Sequence, residues 1–158
     1  MRLIGFRCKG SDVFSREVLI DRLKYYSPCR IKHDKDITKE DIENNSLLLI
    51  GTPKTNLVFK KFAKQLPVNV TDNSVNIGKK TVNDDNLSFY AIFPNPCNSN
   101  NYIGIIGSNN LSTITIGVED PEDDIFNDVA NYGWYDYSIW KSSSLKIVSS
   151  GYFNLNWE

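Results

Sequence analysis

The sequence predicts an α/β fold in which a mixed central sheet is flanked by helices. Three layers are expected, with Rossmann- or flavodoxin-like topology in the N-terminal half and a β-meander after Pro67. Three observations predict it. Up to Leu66, short apolar runs alternate with segments of helical spacing, which reads β-α-β-α-β-α. The run Leu47–Ile50 is continuously aliphatic, as suits a strand covered on both faces. After Pro67 the spacing changes to two, broken by Asp-Asn and Gly-Lys-Lys turns.

The elements follow in order. RLIGFRC (Arg2–Cys8) is a short apolar run, read as a buried strand. Val13, Phe14, Val18, Leu19, Leu23 and Tyr26 then recur at helical spacing. Ser11 or Asp12 is placed to cap that helix and Pro28 to close it. CRIKHDKDI is a weak strand, and Thr38-Lys39-Glu40-Asp41 resembles a capping box that opens a helix of one or two turns. SLLLIG follows as a strand. Val58, Phe59, Phe62, Ala63 and Leu66 mark one helix face, opposite Lys54, Lys60, Lys61 and Lys64, and Pro67 stops the element. VNVTDNSVNIGKKTV is the expected meander, and LSFYAIFPNP is a strand ended by Pro94 and Pro96. NYIGIIGSNN is another strand running into glycine and polar residues. Residues 111–133 fit a strand or a helix equally well. WYDYSIW and LKIVSSGYFNLNW alternate as paired strands closing the sheet. The 158 residues contain no internal repeat and no low-complexity linker, so a single domain is expected over 1–158.

Composition excludes several classes of function. Hydrophobic residues make up 41% and aromatics 12% of the chain, enough to build a core. Eighteen basic residues against nineteen acidic give a net charge of -1, which does not supply the overall positive field of a nucleic-acid binder, although net charge leaves room for a local basic face. No apolar run approaches a membrane span, and Arg7 and Lys9 interrupt any signal-peptide core. A complete chain of this kind is expected in the cytoplasm; for an excised piece the compartment stays open. Cys8, Cys29 and Cys97 contain no C-x-x-C pair and are read as buried free thiols, although Cys8 and Cys29 meet if their strands are neighbours. Four N-x-S/T sequons begin at Asn44, Asn69, Asn86 and Asn110. Among eighteen asparagines such matches arise by chance, so no glycosylation is read from them.

The chemistry-bearing candidates gather in two loops. In open α/β sheets ligands bind beyond the carboxyl ends of strands, and helix N-termini favour anions. Gly51, Thr52, Lys54, Thr55 and Asn56 follow one strand; Gly107, Ser108, Asn109 and Asn110 follow another. They are the expected ligand-binding residues. The plainer reading is that the glycines turn the chain and that Asn56 and Ser108 cap helices. Neither loop carries G-x-x-x-x-G-K-[ST], G-x-G-x-x-G or G-x-S-x-G, so a Walker loop, a dinucleotide fingerprint and a nucleophile elbow are all missing. The one histidine, His33, sits in a charged stretch, and Asp34 beside it on a strand faces the opposite side. With no second histidine and no cysteine pair, no metal and no cofactor are expected. The acidic run Glu119, Asp120, Glu122, Asp123, Asp124 and Asp128 lacks calcium-loop spacing and reads as a solvated loop. Trp134, Tyr135, Tyr137, Trp140, Tyr152, Phe153 and Trp157 could form a carbohydrate platform. At strand spacing they read first as core and cross-strand pairs.

One further pattern concerns the stretch from Asp34 to Trp157. Gly51, Pro53 and Asn56 match a G-x-P-x-x-N turn; Pro94, Asn95, Pro96 and Asn98 match P-N-P-x-N; Gly151, Tyr152, Phe153 and Trp157 match a closing G-[YF]-F…W strand. Together they resemble the accessory domain behind some microbial serine hydrolases: esterases of the polyhydroxybutyrate-depolymerase kind and prolyl-oligopeptidase-like proteins. The resemblance implies that the catalytic serine, aspartate and histidine lie in another domain, and that the matched residues make turns and corners. The expectation is a non-catalytic accessory module acting through a protein partner, a second copy or a small ligand. A small hydrolase using the same two loops is the alternative.

Overall fold

The structure, a computed structural model, describes residues 2–6, 29–110, 135–144 and 146–157. Strand dominates it. Among the described residues ten strands are seen: β1 (Arg2–Phe6), β2 (Cys29–His33), β3 (Ser46–Ile50), β4 (Val68–Thr71), β5 (Ser74–Ile77), β6 (Lys80–Asn83), β7 (Leu87–Asn95), β8 (Asn98–Ser108), β9 (Tyr137–Lys141) and β10 (Ile147–Gly151). The α-helices among the described residues are α1 (Lys39–Asn44) and α2 (Leu57–Phe62), with a 3-10 turn at Asp34–Asp36. Strands hydrogen-bond into a seven-stranded sheet, in the order β10-β9-β7-β8-β3-β1-β2, and a three-stranded one, β4-β5-β6.

The expected three-layer, helix-flanked α/β fold is therefore corrected to a β-rich fold of two sheets with short helices. The physical reason lies in helix length. Six residues make less than two turns, too little to cover a sheet face in the way a helix of ordinary length does. α1 ends as the backbone of Asn45 turns extended and feeds β3. α2 stops at Phe62, before Pro67, and a turn follows in which the Phe62 carbonyl accepts from the amides of Gln65 and Leu66 at 2.8 and 3.1 Å. The predicted helix within 11–27, the ambiguous 111–133 stretch, Cys8, Trp134 and the acidic run at 119–128 lie outside the described residues.

The chain divides into two compact units, each taken by itself. The first comprises Met1–Leu66 with Ile92–Ile106. Here β1 pairs parallel with β2 and with β3, and β3 pairs parallel with β8, placing Leu47, Leu49 and Ile50 opposite Ile103, Ile105 and Ile106. Leu47 and Leu49 are buried while Leu48 is half-exposed, so the aliphatic run alternates in burial instead of being covered throughout. α2 contributes Val58, Phe59 and Phe62 to the core, and Leu66 follows them in.

Two local devices hold α1. Thr38 caps its start: the Thr38 hydroxyl accepts from the Asp41 amide, and Asp41 accepts from the Thr38 amide at 2.9 Å. The other end is finished from the β7–β8 hairpin. Asn95, 1% exposed, donates to the Ile42 carbonyl at 2.6 Å, and Asn98 and Asn101 donate to the Glu43 carbonyl at 2.8 and 3.3 Å. Helix ends leave carbonyls without intrahelical donors, and these asparagines supply them. Pro94 lies inside β7 and does not end it.

The second unit comprises Pro67–Ala91 with Gly107–Glu158. The antiparallel meander β4-β5-β6 pairs Val68 with Ile77 and Val70 with Val75, which in turn pairs with Val82. Its other face carries Asn69, Asn76 and Thr81. β7 and β9 pair antiparallel, with Phe89 opposite Ile139, both fully buried. β10 joins the far side of β9 with a register shift between Ile147 and Ser149. Gly151 lies against the Tyr137 ring, where an added Cβ would come within 2.9 Å of the phenol oxygen.

Candidate functional site

The first candidate loop leaves the end of β3. Gly51 extends the ladder, its amide donating to the Ile106 carbonyl at 2.8 Å, and its φ of +118° is a conformation that side chains disfavour. A Cβ there would also meet the Thr55 hydroxyl at 2.6 Å. The chain then folds on itself. The Thr52 amide donates to Thr55 Oγ1 at 2.9 Å, and the amides of Thr55 and Asn56 return to the Thr52 carbonyl at 2.9 and 2.8 Å. The Lys54 amide reaches Thr52 Oγ1 at 3.3 Å, and the Lys54 side chain is exposed.

Asn56 is the hinge pin of this corner. It is 1% exposed, and its Oδ1 accepts from the amides of Val58 and Phe59, both at 3.0 Å. Its Nδ2 donates back to the Ile50 carbonyl at 3.2 Å. One side chain thus ties the end of β3 to the start of α2. The remaining first-turn amide, Leu57 N, donates to Asp34 Oδ2 at 2.8 Å. An anion at the start of α2 would need these amides. A protein carboxylate and a protein amide already hold them, so the corner is closed as a phosphate cradle. Asp34, 5% exposed, was not among the sequence candidates. It lies twenty-three residues from its partner, and no local spacing signals that contact.

The second candidate loop begins later than the sequence suggests, because Gly107 and Ser108 are the last residues of β8. Ser108 is fully buried; its hydroxyl lies 2.8 Å from the Leu87 carbonyl and 2.9 Å from that of Asn110, and it accepts from the Asn110 amide at 3.2 Å. Asn109 pairs with Leu87 through both backbone and side chain: its amide donates to the Leu87 carbonyl at 3.0 Å, and its Oδ1 accepts from the Leu87 amide at 2.8 Å. Its Nδ2 donates to the Asp84 carbonyl at 2.6 Å, and Asn110 Nδ2 donates to Asn86 Oδ1 at 2.8 Å. Beside this joint Lys141 contacts Asp84 at 2.9 Å. The Lys141 ammonium, then the Asn86 amide, hold the Asp84 carboxyl below the usual range, and Asp84 raises Lys141 in turn.

The first loop therefore ties β3 to α2, and the second ties the end of β8 to the start of β7. Among the described residues neither loop brings a nucleophile beside a base, the arrangement that acyl or phosphoryl transfer chemistry needs. His33 is exposed. Cys97 is a free thiol in the β7–β8 turn, exposed where the sequence suggests burial. Among the described residues no group of three or more His, Cys, Asp or Glu side chains could hold a metal ion, and no helix is long and apolar enough to cross a membrane.

Two charged or phenolic groups stand out elsewhere. Asp41 is held at about 2, first by the hydrogen bond from Lys32 at 2.6 Å and next by the Thr38 amide. Burial, and then the charge of Asp136, push the Tyr90 phenol up. Both fit structural roles. Of the C-terminal aromatics, Tyr137 and Trp140 are buried, and Phe153 stacks at a tilt between Tyr137 and Trp157, with centroids at 5.4 and 6.3 Å. Tyr152 is 66% exposed and leans on Tyr135.

What the corner does present outward is the face of α2. Leu57 is 45% exposed, and Lys60, Lys61 and Lys64 are exposed at the three, four and seven positions after it. The sequence places these lysines only opposite the apolar helix face. Compared with protein families, with curated proteins and with solved structures, the chain matches none.

Proposed function

We propose that this chain is a non-catalytic binding module that acts on a protein partner through the corner after β3 and the outer face of α2. One observation carries the reading. The polar groups of Thr52, Thr55, Asn56, Ser108 and Asn109, which any chemistry in the two loops would need, are bonded to the chain's own backbone and hydroxyls. The exposed side chains around the first loop, Lys54 and Leu57, are placed for contact with a partner. An accessory role beside a hydrolase, the expectation raised by the turn and corner motifs, agrees with this.

The test is a turnover screen of the chain against ester, phosphoester and peptide substrates, with Ser108→Ala and Asn56→Ser beside it. The reading expects no turnover above buffer in any sample. Activity of the unaltered chain that disappears in a folded variant would overturn it.

A further inference from the structure

The outer face of α2 has a composition that points to one class of partner. No aspartate or glutamate occurs between residues 44 and 71, a stretch that contains Lys54, Lys60, Lys61 and Lys64. Leu57, Lys60 and Lys61 stand at i, i+3 and i+4 on one side of α2, Lys64 follows in the turn just after it, and all four are exposed. Val58, Phe59 and Phe62 bury the opposite side, so the stripe points away from the core. Among the described residues Lys60 and Lys64 form no ion pair, and the Lys61 ammonium sits 5.5 Å over the ring of Phe62. By contrast, Lys32, Lys39 and Lys141 each have a carboxylate partner.

Neighbouring like charges repel within a helix, and the negative end of the helix dipole offsets that repulsion only in part. An exposed leucine at the head of the stripe gains nothing from either effect. We infer that this stripe docks an acidic protein segment, one whose carboxylates match the lysines and which sets an apolar side chain on Leu57. The inference rests on the reading of the chain as a protein-binding module and specifies the partner's chemistry. A duplex or single strand is disfavoured because the chain is net negative and the stripe is short beside a typical phosphate footprint. A bilayer is disfavoured because a single leucine inserts too little apolar surface for stable attachment.

The experiment is fluorescence anisotropy of the full chain with a labelled peptide of glutamates flanking one leucine. Equal-length neutral peptide, single-stranded DNA and phosphatidylserine vesicles serve as competing probes. The acidic peptide is expected to bind saturably, more weakly as salt rises, and to lose about tenfold or more in affinity in the Lys60→Gln/Lys61→Gln/Lys64→Gln variant. Leu57→Ser is expected to weaken binding with an unchanged salt dependence. Circular dichroism melting checks that both variants stay folded. Absent peptide binding, binding that the triple variant retains, or a preference for DNA or vesicles would each overturn the acidic-segment assignment. A blank turnover screen alongside such a result would leave the module reading standing, whereas turnover would remove that reading itself.

Discussion

Replacing Asn56 with alanine removes three hydrogen bonds at a position 1% exposed. The loss of an N-cap side chain costs about 0.5–2 kcal/mol on general experience. Here the Ile50 carbonyl also loses its amide donor in a buried setting, which adds about 1–2 kcal/mol where water cannot replace it. The expected total is about 2–4 kcal/mol. Asn56→Ser keeps an oxygen for the Val58 and Phe59 amides but loses the link to Ile50, so it should cost about half as much. The assay must report on the right place. Among the described residues the tryptophans, Trp140 and Trp157, belong to the second unit, so their fluorescence would follow the wrong part of the chain. Hydrogen exchange of peptides covering residues 47–66 reads the corner directly. The predicted order of protection is Asn56, then Ser, then Ala. An alanine variant that exchanges like the parent, or a serine variant no better than alanine, would refute the reasoning.

Three further outcomes are expected. Because the folded Asp41 carboxyl titrates at about 2 against an ordinary 3.8, its bonds to Lys32 and Thr38 stabilise fully above that ordinary value and are lost as pH falls toward 2. With the Lys32 side chain 26% exposed, the contribution is about 1–2 kcal/mol; acid titration of Asp41→Asn, followed by circular dichroism, should show a correspondingly flatter limb and lower stability at neutral pH. Asn95→Ala should cost about 1–3 kcal/mol in urea denaturation, since it frees the Ile42 carbonyl and the Cys97 amide together. Gly51→Ala should lower stability by about 1–3 kcal/mol, through the strain of φ +118° and the contact with Thr55, and thermal melting would show it.

Individual elements were legible wherever a local rule operated. The capping box at Thr38 and Asp41 placed α1, and the aliphatic run placed β3. Val58, Phe59 and Phe62 placed the buried face of α2. Fold class was not legible, because the alternation of strand and helix signals says nothing about whether a helix runs long enough to cover a sheet. α2 was expected to reach Pro67 and stops at Phe62, after which the chain continues as a turn whose Gln65 amide takes the tighter i→i−3 bond to the Phe62 carbonyl. At the site, Asn56 was readable as a cap because capping is local. Asp34 on the Leu57 amide, and Asn95 on the Ile42 carbonyl fifty-three residues away, depend on tertiary contacts that no spacing encodes. Gly107 looked like a twin of Gly51. It lies within β8, and among the described glycines positive φ is found at Gly51 and Gly78.

The most direct test of the closed corner is a titration with inorganic phosphate followed by amide nuclear magnetic resonance at Leu57, Val58 and Phe59. If Asp34 and Asn56 already hold those amides, their resonances stay in place while exposed lysine-bearing positions shift weakly and without saturation. Saturable shifts centred on Leu57, Val58 and Phe59 would mean that an outside anion displaces the protein's own acceptors, and that the loop is a binding cradle after all.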